Sequence, residues 1–181
     1  THWFEIARLK EEAHPSVLRK NALPYNLWMH RSEGLATFME ETFMHAGLWD
    51  DNPRARELVW IMLAQRCARG LASLYAQATM INYEQARKFQ VEWTPKGWTG
   101  DESLVGFEQH LYLRQPGYGS SYVTGKYFIE RLMIDMSRKL GNEFKLYNYF
   151  DSFYSMGIIP VSLVHWQMTG IDDEIKNSHK K

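Results

Sequence analysis

The sequence predicts an all-α protein, a closely packed array of many helices. Three observations carry this. Apolar residues recur at helical spacing almost throughout, no Asn-Gly or Asp-Gly pair marks a hairpin, and no stretch alternates apolar and polar residues like a half-buried strand. No internal repeat of fixed period is visible.

The elements follow in order. Trp3, Ile6, Ala7 and Leu9 begin a first helix, which Pro15-Ser16 interrupts before Val17-Leu18. Leu23-Pro24 opens a second, running through Trp28, Leu35, Phe38 and Phe43 to a stop near Gly47. Asp50-Asp51-Asn52-Pro53 is a cap-and-proline start for a third, which reads to about Met80. Asn82 caps a fourth from Tyr83 to Trp93, and Thr94 to Gly100 is a loop by composition. Asp101 restarts a helix to about Leu113. Gln115-Pro116-Gly117-Tyr118-Gly119 is the strongest break, followed by a long helix from Ser121 to Leu140 that stops at Gly141-Asn142. Shorter helices cover Leu146 to Met156 and Pro160 to about Met168. Residues 1–170 thus read as one helical domain, and 171–181 as a charged, fraying tail.

Lys plus Arg balance Asp plus Glu at 21 each, so no basic footprint for nucleic acid exists. No apolar run reaches the length of a membrane span. The single cysteine, Cys67, permits no internal disulfide and lies in a helical stretch, where a packed or idle thiol is expected rather than a nucleophile. The aromatic content of 14% suits a packed core or an aromatic-lined cleft and argues against disorder.

The segment with most chemistry is Glu33-Gly34-Leu35-Ala36-Thr37-Phe38-Met39-Glu40. Its two carboxylates lie two turns apart, on one helix face and roughly 20° out of register. That face also carries His30 and Thr37. A buried carboxylate must be protonated, hydrogen-bonded or bound to a cation, so the pair suits a metal ligand with a supporting carboxylate; the bland alternative is two glutamates facing water. His2, 31 residues before Glu33, fits the pattern in which zinc takes a carboxylate from a later helix than its histidines.

The turn Pro116-Gly117-Tyr118-Gly119-Ser120-Ser121-Tyr122 lacks the spacing of a phosphate loop. Its functional reading is a Tyr122 hydroxyl brought close to a ligand to stabilise an oxyanion. Its structural reading is a helix start in which Gly125 permits close packing. A carboxylate-bridged metal bundle, suggested by Glu41 with His45 and His30 with Glu33, lacks the two Glu-x-x-His units such bundles use.

Taken together, these segments resemble the bacterial domain-of-unknown-function family 885. There, H-E-x-x-P-G-H is followed by E-G-W-A-L-Y-A-E. Here His2 precedes Glu33-Gly34-x-Ala36-x-Phe38-x-Glu40. Glu84-Gln85-Ala86 is similar to the family's S-x-E-Q-A. Pro116-Gly117-x-x-x-Ser121-Tyr122-x-x-Gly125 is similar to its P-G-Q-A-x-S-Y-x-x-G. Phe144 to Asp151 and Gly157-x-x-Pro160 resemble its closing blocks.

The resemblance implies the C-terminal part of a zincin-like helical metallopeptidase, cut from its parent just before His2. It implies Glu33 and His2 as zinc ligands, Glu40 as an outer carboxylate orienting them, and Tyr122 as the group polarising the scissile carbonyl. The expected cofactor is zinc and the expected substrate a peptide, both in the intact parent. The first zinc histidine and the general-base glutamate belong to the missing N-terminal portion, so the fragment is expected to be inactive alone. The family permits an envelope or a cytoplasmic location.

Three positions depart from the pattern: Leu35 replaces a tryptophan, Phe150 a histidine, and Gln77 falls where another histidine is expected. They suggest a divergent member or one with altered chemistry; Leu35 and Phe150 favour a rival reading, a non-catalytic helical binding or scaffold domain that kept the fold, and the retained Glu33, Glu40 and Tyr122 disfavour it.

Overall fold

The computed structural model describes residues 2–20, 29–99 and 101–178. Among them are ten α-helices and no strand: α1 (His2–Glu11), α2 (Val17–Lys20), α3 (Met29–His45), α4 (Pro53–Gln77), α5 (Tyr83–Trp93), α6 (Glu102–Arg114), α7 (Tyr118–Leu140), α8 (Leu146–Ser155), α9 (Val161–Thr169) and α10 (Asp173–Ser178). A 3₁₀ turn, Gly141–Glu143, follows α7. The expected multi-helix array is the observed fold. Leu23, Pro24 and Trp28, the expected opening of the second helix, lie outside the described residues.

Local side-chain caps set three helix starts. The Asn52 side chain accepts the Ala55 amide at 3.2 Å ahead of Pro53. Asn82 and Gln85 form a reciprocal capping box, each bond 2.9 Å. Asp101 caps α6 through the Ser103 amide.

The long helix α7 begins three residues before its expected start. Gly117 takes the left-handed conformation, φ 83°, and turns the chain directly into Tyr118. A Pro-Gly-x-Gly run reads as a break, yet only Gly117 is used as one.

Helix α7 is the hub: it packs along α3, crosses α4 and reaches α9. Glycines set both main crossings. A Cβ on Gly34 of α3 would lie 2.4 Å from the Gly125 carbonyl carbon, and one on Gly125 would lie 1.9 Å from the His30 oxygen. A Cβ on Gly70 of α4 would meet the Gly119 oxygen at 2.7 Å. The expected close packing at Gly125 is therefore observed, backbone against backbone.

The core lies where α3 and α7 meet α8 and α9, built from Leu35, Phe38, Ile129, Leu132, Phe153 and Val164. Tyr149 joins it with its hydroxyl donated to the Ile129 carbonyl at 3.0 Å.

The stretch expected to fray differs. Asp173–Ser178 forms α10, and Glu174 is buried against His165, whose Nδ1 lies 3.2 Å from Glu174 Oε1 and whose Nε2 lies 3.1 Å from Asp135 Oδ2. Arg131 of α7 pairs with both Asp173 and Glu174. Charge composition alone suggested solvent; Arg131, which pairs with these charges, is 42 residues before Asp173 in sequence.

Candidate functional site

Glu33 sits at the α3–α7 crossing, where the glycine contacts bring the first turns of α7 against it. Its side chain is 15% exposed and is held from two sides. His2 Nε2 of α1 approaches Oε2 at 3.3 Å. The Tyr118 hydroxyl of α7 donates to Oε1 at 2.9 Å. Tyr122, one turn further along α7, donates to the Tyr118 hydroxyl at 3.4 Å, a long and readily redirected bond. The sequence-predicted residues His2 and Glu33 thus meet directly, and Tyr122 joins them through Tyr118.

Glu40 is placed differently. It lies further along α3 and forms a two-pronged ion pair with Arg66 of α4, at 2.5 and 2.8 Å. Arg66 also lies over the Tyr122 ring, with Cζ 5.8 Å from its centroid, and Arg69 lies closer, at 4.4 Å. Arg69 in turn pairs with Glu108 at 2.8 Å, and Gln90 donates to the other Glu108 oxygen at 2.6 Å. Glu40 therefore reaches the site through Arg66 and the Tyr122 ring.

The environment keeps the tyrosines neutral. Burial, then the bond from Tyr122 and the charge of Glu33, pushes the Tyr118 hydroxyl well above its ordinary 10.0. Burial raises Tyr122 as well, with Arg69 and Arg66 pulling the other way. His30, one turn before Glu33, is lowered from 6.5 by burial.

Tyr118 and Arg69 were not singled out by sequence reasoning. The signal for Tyr118 was its spacing of four from Tyr122, which puts both on one face once the helix starts at Gly117. Arg69 carried no signal, because its value comes from a ring on another helix.

The departures from the family pattern are packing residues here. Leu35 is in the core, Phe150 packs against it on Phe38 and Tyr149, and Gln77 donates to the Tyr112 and Leu113 carbonyls at the end of α6. Glu41 contacts Lys126 at 2.8 Å and His45 at 3.4 Å, an ion-pair network rather than half of a carboxylate bundle. Cys67 is exposed on α4, and burial of part of its side chain raises its thiol.

Two donors each about 2.0–2.1 Å from a tetrahedral zinc stand roughly 3.3 Å apart, which is the His2 to Glu33 separation. One imidazole and one carboxylate fit two corners of such a site. Among the described residues no group of three or more His, Cys, Asp or Glu gathers to hold a metal. No helix of the described residues is long and apolar enough to cross a membrane.

No family model matches this chain, and no curated protein matches it. It is similar in fold to the crystal structure of the putative lipoprotein from Colwellia psychrerythraea, with a TM-score of 0.77 and 24% identity. The match covers 94% of this chain and 28% of that one. The chain therefore spans less than a third of the length of the protein it resembles, and the likeness is one of fold.

Proposed function

We propose that this chain is the C-terminal helical part of a zinc-dependent peptidase, contributing His2 and Glu33 as two zinc ligands to an active site completed elsewhere in its parent. The observation that carries this reading is the His2 Nε2 to Glu33 Oε2 separation of 3.3 Å, with two tyrosine hydroxyls on the other side of Glu33. The ordered motif resemblance supports it independently, resting on the quoted residues alone.

When bound, zinc supplies Lewis acidity toward a carbonyl and lowers the pKa of a water. The chain's own residues do the rest of their share. Tyr118 holds one Glu33 oxygen so that the other faces His2, the orienting role that partners of ligating carboxylates play. Tyr122 stays neutral and keeps a proton to donate to a developing oxyanion once its long bond to Tyr118 turns away. Arg66 ties down Glu40 and, with Arg69, backs the Tyr122 ring. The aromatic and cationic wall so formed suits a peptide backbone with its carbonyls facing in. In this reading the remaining zinc ligand and the general base would be supplied by other parts of the parent.

The test is the zinc content of the full-length parent beside its Glu33→Gln variant. About one zinc per chain, lost or weakened in the variant, supports the reading and justifies a peptide screen. No zinc in either turns the assignment to a non-catalytic helical domain.

A further inference from the structure

Helix α1 carries His2, yet it is an exposed helix with one buried residue, and that residue is charged: Glu5. A lone buried carboxylate on an otherwise solvated helix calls for a reason. Its partners supply one. Arg31 of α3, with no exposed surface, forms an ion pair with Glu5 Oε1, and the Ser32 hydroxyl donates to Glu5 Oε2 at 3.0 Å. Arg31 and Ser32 immediately precede Glu33, and Glu5 lies one turn after His2. The pair therefore ties together the two short stretches of backbone that present the ligand-type side chains.

The remaining attachments of α1 run elsewhere. Phe4 packs edge-on against Tyr154 at 5.4 Å, and Arg8 bonds Asp151 at 2.5 Å, both on α8. These hold the helix to α8, whereas Glu5 ties it to the start of α3. Arg31 is fixed from its other side by the Phe153 ring, 5.0 Å from Cζ. Burial pulls the Arg31 guanidinium down to about 10, so it still carries its charge at neutral pH.

We infer that Glu5 and Arg31 are positioning residues: their buried ion pair, with Ser32, holds His2 in register with Glu33. This rests on the proposed zinc reading for its purpose but on the geometry alone for its mechanism. Buried ion pairs are poor sources of stability beside apolar residues of similar size, and specifying one register is their best-attested use.

The test uses the full-length protein with two changes. Glu5→Gln breaks the pair but strands the Arg31 charge and risks misfolding. Glu5→Leu with Arg31→Met removes both charges at similar volume and is expected to keep the fold. Two readouts are compared with the unaltered protein: modification of His2 by diethyl pyrocarbonate, followed by peptide mass spectrometry without metal, and Co²⁺ binding with its visible spectrum. Exposed His110 is the internal control for modification.

In the double variant, with thermal melting retained, His2 modification rises several-fold while His110 is unchanged. Co²⁺ binds about tenfold more weakly or with an altered spectrum. Unchanged His2 reactivity in the folded double variant overturns the inference. Absence of Co²⁺ binding in the unaltered protein counts against the zinc reading instead, and His2 reactivity still decides the positioning role.

Discussion

The Tyr118 hydroxyl donates to Glu33 Oε1 at 2.9 Å across the α3–α7 crossing, while Tyr122 reaches Glu33 only through Tyr118. The two tyrosines are therefore not equivalent. If the parent binds zinc through Glu33 as proposed, Tyr118→Phe should weaken that binding about tenfold, because the Glu33 carboxylate loses the bond that orients it. Tyr122→Phe should leave affinity nearly unchanged and lower turnover. Zinc titration and peptide hydrolysis, run side by side, separate the two effects. Equal affinity losses would count against the proposed division of roles.

The glycine crossing that creates this contact should be intolerant of a methyl group. Gly125→Ala drives a Cβ against the His30 backbone, which cannot yield as a side chain can. A loss of about 3 kcal/mol or failure to fold is expected, at or beyond the upper end of overpacking costs. Gly106→Ala meets the Tyr83 hydroxyl at 3.0 Å and Arg87 Nε at 3.4 Å, side-chain atoms rather than backbone. It should shift stability by less than about 1 kcal/mol, helped by the better helix propensity of alanine. Urea unfolding of both variants measures the contrast.

His165 is enclosed between Asp135 and Glu174 with no exposed surface. In His165→Ala the two carboxylates lose their shared partner and a cavity opens. Leaving buried carboxylate oxygens without their partner costs about 1–3 kcal/mol, and here the loss should appear first as release of α10. Hydrogen exchange of the Asp173–Ser178 amides should then rise, with the α3 and α7 amides protected until global unfolding. Uniform exchange across all three helices would show that α10 docking and the core are one cooperative unit.

Stability should fall on both sides of neutrality, for separate reasons. Burial raises Tyr112, Tyr118 and Tyr149 above their unfolded value of 10.0. Their neutral forms are thus favoured by the fold; that contribution is complete below pH 10.0 and is lost as pH rises from there through the folded values. His30 shifts the other way: burial lowers it below 6.5. Its contribution is present above that value and is lost as pH falls through the lowered one. Unfolding free energies measured from about pH 5 to about pH 11 should therefore form a dome. A flat alkaline limb would mean that the tyrosines ionise without cost.

Breaking the Glu40–Arg66 pair tests whether Glu40 is itself a ligand. Glu40→Gln should cost about 1 kcal/mol, since the carboxylate is 39% exposed and screened by water. On the proposed zinc reading, zinc content should be unchanged, because Glu40 touches Arg66 and neither His2 nor Glu33. Loss of zinc would promote Glu40 to a ligand.

Helix identity was written locally. Periodicity, the Asn52-Pro53 start, the Asn82/Gln85 box and the glycine stops act within a turn or two, so they could be read from the chain. So could the shared face of Glu33 and Glu40, which follows from helical geometry once the helix is granted. Partnership was another matter. That Glu33 meets His2 and Tyr118 while Glu40 meets Arg66, that Glu5 is buried by Arg31, and that Asp173 and Glu174 dock a tail instead of fraying, all depend on where distant helices cross. Two of those crossings, α3 on α7 and α4 on α7, rest on backbone contact at Gly34 with Gly125 and at Gly70 with Gly119. A glycine in a sequence shows that such an approach is possible; only the packed structure determines which helix makes it.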